Sequence, residues 1–233
     1  MLMITGLPSP AAGAELIKDC VDCPAMITIA ARAPYDASWS KLAVSAAPVT
    51  FAQWDACVSD GGCGGYHPDR QGWSGDTPVV NVSYHDAENY TRWLKAKTRA
   101  RYRLVREAEW PWLATLDGAR AYPWGDAIGR GNTNCLDCGS IWDGVRASPV
   151  RSFRPDPNGL YDLVGNVAHW TQPTRPASGP ARPACARSGG RYASIFGAAW
   201  ADPAKFLTAT SSTCFPKVLR DDTIGFRVVR EFG

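Results

Sequence analysis

The sequence predicts an α+β fold rich in irregular structure. Three observations carry that prediction: two stretches of helical periodicity, an alternating C-terminal tail, and 22 glycines with 18 prolines among 233 residues. Hydrophobic residues make up 45% of the chain, enough to bury a sizeable core and to exclude wholesale disorder. A single domain of this length is ordinary. The reading is one domain over residues 15–233, with residues 1–14 as the remnant of an export signal ending in the small-residue pattern Ala12-Gly13-Ala14. No run approaches the roughly 18 apolar residues that a membrane-spanning helix needs. The net charge of +3 comes without a basic tract, which argues against nucleic-acid or membrane-surface binding.

The first helix is predicted to open at Thr50. Its hydroxyl can accept from the third helical amide while the Gln53 side chain reaches back, a capping box. Phe51, Trp54 and Val58 then fall on one buried face. The glycine-rich stretch 60–76 reads as a surface loop. A second helix opens at Ser83, with Asp86 three residues on and a stripe of Ala87, Tyr90 and Leu94, leaving Arg92, Lys95 and Lys97 solvated. Residues 101–105 form a short strand before a third helix near Glu107. Pro111 is awkward there, since proline costs roughly 3 kcal/mol in a helix interior; that helix begins late or has a distorted first turn. From Tyr122 to Leu160 only turns are visible. Residues 225–230 alternate and read as a terminal strand.

The eight cysteines are Cys20, Cys23, Cys57, Cys63, Cys135, Cys138, Cys185 and Cys214. An even number in an exported chain fits a disulfide framework, although eight cysteines allow 105 pairings. Cys57 and Cys63 bracket a flexible turn and are the natural local pair. The competing reading gives zinc four thiolates from Cys20-x-x-Cys23 and Cys135-x-x-Cys138, but the gap between those pairs is far longer than compact zinc spacings.

A set of motifs in a fixed order then emerges: Val49-Thr50-Phe51-Ala52-Gln53-Trp54, Pro78-Val79-Val80-Asn81-Val82-Ser83, Tyr102-Arg103-Leu104 with Glu107-Ala108-Glu109-Trp110, Pro123-Trp124-Gly125, residues 158–167, Ser188-Gly189-Gly190 and Gly225-Phe226-Arg227. With these, the chain resembles the formylglycine-generating enzyme family, the sulfatase-modifying factors, from about Val49 to Arg230. The resemblance implies the family's variant of the C-type lectin fold: small twisted sheets, a few helices and much irregular structure.

The same resemblance implies a copper ion held by two cysteines in a substrate-oxidising site, because soft Cu(I) needs thiolates. Here those two positions fall on Ser194 and Ala199, while Cys185 and Cys214 lie away from them in the sequence. Arginines common in the family are replaced by Leu207 and Ser211. His169 stands where a calcium-binding Glu is expected, and imidazole is a poor ligand for a hard cation. A second calcium site is better kept, with the side chains of Asn134 and Asp143 and the carbonyls of Cys135 and Val145. Copper is therefore not expected, and calcium is a candidate cofactor.

His67, His85 and His169 give no short ligand pair. Glu107 and Glu109 could be an acid/base couple but diverge on a helix, so capping is the simpler role. Residues 220–222 read as a solvated turn. Trp54, Trp93, Trp110, Trp124 and Trp170 fall in scaffold motifs. Trp39, Trp73, Trp142 and Trp200 fall in divergent loops and, with Arg191 and Tyr192, are the candidate partner-binding residues, since aromatic anchors dominate interface energetics. The expectation is a non-catalytic, periplasmic or secreted binding protein on this scaffold. Its partner would be a protein, with an immunity protein neutralising a type VI secretion toxin as the candidate role. The rival is an oxidase of the same family, acting on a sulfatase cysteine or a small molecule such as a siderophore; a third reading is a displayed receptor with a diversified C-terminal segment.

Overall fold

Helix α1 (Phe51–Ser59) starts where its capping box allows. In the computed structural model, which describes residues 15–29, 42–116, 118–174, 185 and 189–232, the Gln53 amide donates to Thr50 Oγ1 at 3.3 Å. The Thr50 amide donates back to Gln53 Oε1 at 3.0 Å. The buried face is Phe51, Trp54 and Cys57; Val58 is half-buried. Helix α2 (Tyr84–Thr98) repeats the device with Ser83 and Asp86, and buries Tyr84, Ala87, Tyr90, Trp93 and Leu94. The two helices meet through Trp54 and Tyr90, whose rings stack with centroids 6.0 Å apart. Helix α3 (Glu109–Thr115) begins late, so Pro111 occupies its third position. The amide that proline lacks is one of those with no partner inside a helix anyway.

Strands β1 (Leu16–Ile17), β2 (Met26–Ile29), β3 (Leu42–Ser45), β4 (Arg101–Leu104) and β9 (Val228–Glu231) form one sheet in the order β1-β2-β3-β9-β4, all antiparallel. A second sheet holds β5 (Ala168–Trp170), β6 (Tyr192–Phe196), β7 (Ser212–Pro216) and β8 (Ile224–Gly225) in the order β7-β6-β5-β8, with β7 at an edge and β5 parallel to β8. The tail does not alternate as expected: Phe226, Arg227, Val228 and Val229 are all fully buried. Arg227 is accommodated because its guanidinium donates to the carbonyls of Ser45, Tyr161 and Asp162, so its buried terminal N–H groups find acceptors.

Between α3 and β5 the described residues form turns without a helix or strand. Side chains hold them: the Ser148 amide donates to Asn166 Oδ1 at 2.8 Å, and Asn166 Nδ2 returns a bond to the Ser148 carbonyl. Four disulfides close the framework: Cys20–Cys23, Cys57–Cys63, Cys135–Cys138 and Cys185–Cys214. Each Cys-x-x-Cys pair is thus bonded to itself, and the four-thiolate zinc reading is lost. The turn at 220–222 is also more than solvated: Arg220 donates to Asp86 at 2.8 and 3.1 Å and lies 3.9 Å from the Tyr66 ring centre, pinning the start of α2. Residues 1–14 and Trp39 lie outside the described residues.

Candidate functional site

Strand β6 places Ser194 in the interior of the second sheet, 1% exposed. Its carbonyl is held by both the amide and the hydroxyl of Thr171, at 3.0 and 2.8 Å. One residue on, Gln172 pairs with the segment leaving β4: its amide donates to the Val105 carbonyl and its carbonyl accepts the Glu107 amide. That pairing carries Glu107 to Ser194, whose hydroxyl donates to Glu107 Oε1 at 2.5 Å. Burial raises the Glu107 carboxyl above its ordinary range, against the opposing pull of the Ser194 hydroxyl and the Thr174 amide.

Across the ladder, Ser194 is in register with Cys214 on β7. Cys214 is bonded to Cys185, and Cys185 Sγ lies 3.1 Å from Ser194 Oγ. The sequence places these two cysteines away from the site; the fold brings both sulfurs to it, because strand pairing ignores sequence distance. Behind the cluster, the phenol of Tyr84 is held well above its ordinary range by burial, with the Glu88 and Glu107 carboxylates adding to the effect.

Ala199 is 1% exposed and offers no donor or acceptor beyond its backbone. The chain turns sharply at Gly197, where a Cβ would come within 2.8 Å of the Leu163 carbonyl. The Ala199 amide then donates to Asp202 at 2.8 Å. At the two positions where the resemblance leads one to expect thiolates, a hydroxyl bonded to a carboxylate and a methyl do not suit Cu(I), and the neighbouring sulfurs are bonded to each other. Among the described residues there is no group of three or more His, Cys, Asp or Glu side chains suited to a metal ion.

Glu109, paired with Glu107 in sequence, goes elsewhere. It is 1% exposed and receives two bonds from Arg103 and one from the Arg106 amide. His169 is fully buried against Trp110, ring centres 4.7 Å apart, and neither ring nitrogen has a regular hydrogen bond. Burial, then the Arg227 charge, hold it well below the usual imidazole range, with the Phe196 backbone pulling weakly the other way.

In the 134–146 loop, Asn134 is fully buried, with Nδ2 on the Arg146 carbonyl at 2.9 Å. Asn134 Oδ1 and Asp143 both accept from the Ser140 hydroxyl, which draws their oxygens together, and Asp143 also caps the Gly139 amide.

The partner-binding candidates divide. Trp73 is only 5% exposed and meets Trp200 edge-on at 6.2 Å, so it is a floor rather than a contact. Trp200 and Trp142 are half-buried, and Trp142 packs on Phe153. Arg191 and Tyr192 are exposed. Sequence reasoning missed the exposed Ile141 (85%) and Phe206 (61%) and considered Val145 (68%) only for its carbonyl; their apolar character in a turn-rich region was the available signal.

The chain is 37% identical over 122 residues to the formylglycine-generating enzyme of Streptomyces coelicolor, covering 44% of this chain and 35% of that protein. It is 40% identical over 114 residues to the inactive C-alpha-formylglycine-generating enzyme 2 of Mus musculus, covering 45% of this chain and 34% of the relative. The matches thus span about a third of the length of these relatives. The structure of PvdO from Pseudomonas aeruginosa superposes with a TM-score of 0.75 at 26% identity, over 96% of this chain and 99% of PvdO. Residues 18–232 match the sulfatase-modifying factor enzyme 1-like domain, and the chain belongs to that family.

Proposed function

We propose that this protein is a non-catalytic binding protein on the sulfatase-modifying factor scaffold, and that it recognises a protein partner outside the cytoplasm. The observation that carries the proposal is the pair Ser194 and Ala199, where a hydroxyl bonded to Glu107 and a methyl stand in place of two metal-holding thiols. A rigid scaffold that has lost its reaction centre still presents long loops for recognition. The four disulfides suit an oxidising compartment, and no helix among the described residues is long and apolar enough to cross a membrane. The contact surface of this reading is Arg191 and Tyr192 with the exposed face of the 134–146 loop around Trp142. The candidate partner is a secreted toxin, which the protein would neutralise as a type VI secretion immunity protein. Calcium, held by Asn134, Asp143 and the Cys135 and Val145 carbonyls, would stiffen that loop; a rise in melting temperature with calcium, reversed by a chelator, is the expected result.

The test mixes the purified chain with the toxin encoded beside it. A stable complex that Tyr192→Asp weakens supports the reading, and the absence of a complex removes it. One observation favours the rival oxidase: two sulfurs do lie beside Ser194. Copper loading, followed by mass spectrometry of a cysteine-containing sulfatase peptide, decides between them. Conversion of the cysteine overturns the binding proposal.

A further inference from the structure

We infer that Cys185–Cys214 is a redox-active disulfide that accepts two electrons from a dithiol, with Ser194 and Glu107 passing a proton to the departing Cys185 sulfur. The inference is independent of the partner-binding reading and rests on the arrangement of four side chains. Cys214 is half-buried on β7, an edge strand, so its sulfur is the one an incoming thiolate approaches. Cys185 is 7% exposed and has the Ser194 hydroxyl 3.1 Å from its sulfur. That hydroxyl is bonded in turn to Glu107 at 2.5 Å. Sulfur, hydroxyl and carboxyl therefore form a continuous line from the buried sulfur of the bridge to a proton store.

The chemistry balances. A substrate thiolate attacks Cys214 Sγ and forms a mixed disulfide; the Cys185–Cys214 bond breaks and its electron pair moves onto Cys185 Sγ. That thiolate takes the Ser194 proton as Ser194 takes one from protonated Glu107; in that form the carboxyl donates to the hydroxyl and the hydroxyl to the sulfur, the reverse of the resting Ser194–Glu107 bond. A leaving thiolate that is protonated or hydrogen-bonded departs faster. The second substrate thiolate then attacks its own partner sulfur in the mixed disulfide, and Cys214 leaves and is protonated from solvent. Glu107 regains its proton from the pair that the dithiol released. The substrate ends as a disulfide and the protein as a dithiol, with two electrons and two protons transferred.

Glu107 suits the role because burial favours its protonated form. The titratable neighbour of Glu107 is the Tyr84 phenol on α2, which also feels Glu88, and the Lys217 ammonium lies 4.7 Å from the Tyr84 ring centre beyond the end of β7. Two of the other three bridges are set differently. Cys57 and Cys63 are buried under Gly62 and Trp93. Cys135 lies 3.6 Å from the Asp137 carboxylate, but that group already accepts the Ala204 amide.

The experiment treats the full chain with graded dithiothreitol at several pH values, alkylates the released thiols and maps them by mass spectrometry. The expected result is that Cys185–Cys214 opens first, about tenfold faster than Cys57–Cys63. Glu107→Gln and Ser194→Ala should slow that step alone, and Glu107→Gln should flatten its pH profile while the Cys57–Cys63 rate stays as in the wild type. Should either variant fail to fold, the order of opening and the pH profile of the wild type decide. The inference is overturned if Cys185–Cys214 opens no sooner than Cys57–Cys63, or if Glu107→Gln reproduces the wild-type rate at every pH.

Discussion

The five-stranded sheet with its helices and the turn-rich half around the second sheet are built by opposite means. In the first, local sequence sets local structure: capping boxes start α1 and α2, and residues spaced three and four apart bury one face of each helix. In the second, shape is imposed from a distance. Ser148 is fixed by Asn166, and Ser194 by Thr171 and Glu107. The difference shows where side chains are free to change: a site assembled from long-range bonds can exchange its members without disturbing the periodicity that folds the helices.

The sharpest break of this contrast lies within the first half, where Arg103 on β4 ties α3 to β9, a strand distant in sequence. Glu109 is enclosed with Arg103 at 2.6 Å, and Arg103 also holds Glu231 at 2.6 Å. Glu109→Ala leaves Arg103 with Glu231 as its remaining carboxylate partner, so the cost should sit at the low end for breaking a buried pair, about 3 kcal/mol. Urea denaturation measures it; a loss under 1 kcal/mol would show the pair to be solvated. Next comes Gly165 in the turn-rich half, at φ +79°, where a Cβ would approach Thr133 Oγ1 to 2.2 Å and the Asn134 carbonyl to 2.6 Å. Gly165→Ala should cost about 2–4 kcal/mol from crowding and left-handed strain. It should also loosen the 134–146 loop, read as faster amide exchange there than in α2.

A milder change tests the locally encoded half. Thr50→Ala removes one half of the α1 capping box and should cost about 1 kcal/mol, with amide exchange raised in α1 and unchanged around Ser194. If exchange rises equally in both regions, the two halves unfold as one unit and the contrast has no energetic content.

What was legible follows the same line. The starts of α1 and α2, the late start of α3 behind Pro111, the Cys57–Cys63 bridge and the turns between α3 and β5 were all readable, since each is decided by neighbours in the chain. Arg227 was not: its burial depends on carbonyls at positions 45, 161 and 162, which no alternation pattern reports. Glu107 and the Cys185–Cys214 bridge escaped for the same reason, since Glu107 meets Ser194 across 87 residues. The identity of Ser194 could be read; its neighbours could not.

The smallest expected effect is a pH dependence, small because opposing groups share it. Burial pushes the Asp156 carboxyl up to about 6, against bonds from the Leu160 and Asn158 amides and the nearby Arg227 charge. An unfolded aspartate titrates near ~3.9, so between those values the folded chain holds a proton that the unfolded chain has released. The stability this contributes is complete below the lower value and lost as pH rises through the higher one. Asp162 is likewise pushed up to about 6 by burial. Asp86 and Glu231 run the other way: burial there is outweighed, by Arg220 and Ser83 in the one case and by Arg103 in the other, and both carboxyls end below their ordinary range. Their contribution is lost as pH falls. The whole-protein slope therefore partly cancels, and the readout is a difference. Asp156→Asn keeps an oxygen for the Leu160 and Asn158 amides and removes the titration. Wild type should gain stability relative to Asp156→Asn as pH falls from 7 to about 5. A difference that stays constant over that range would mean that Asp156 is ionised in the fold, and that this turn is held by charge rather than by enclosure.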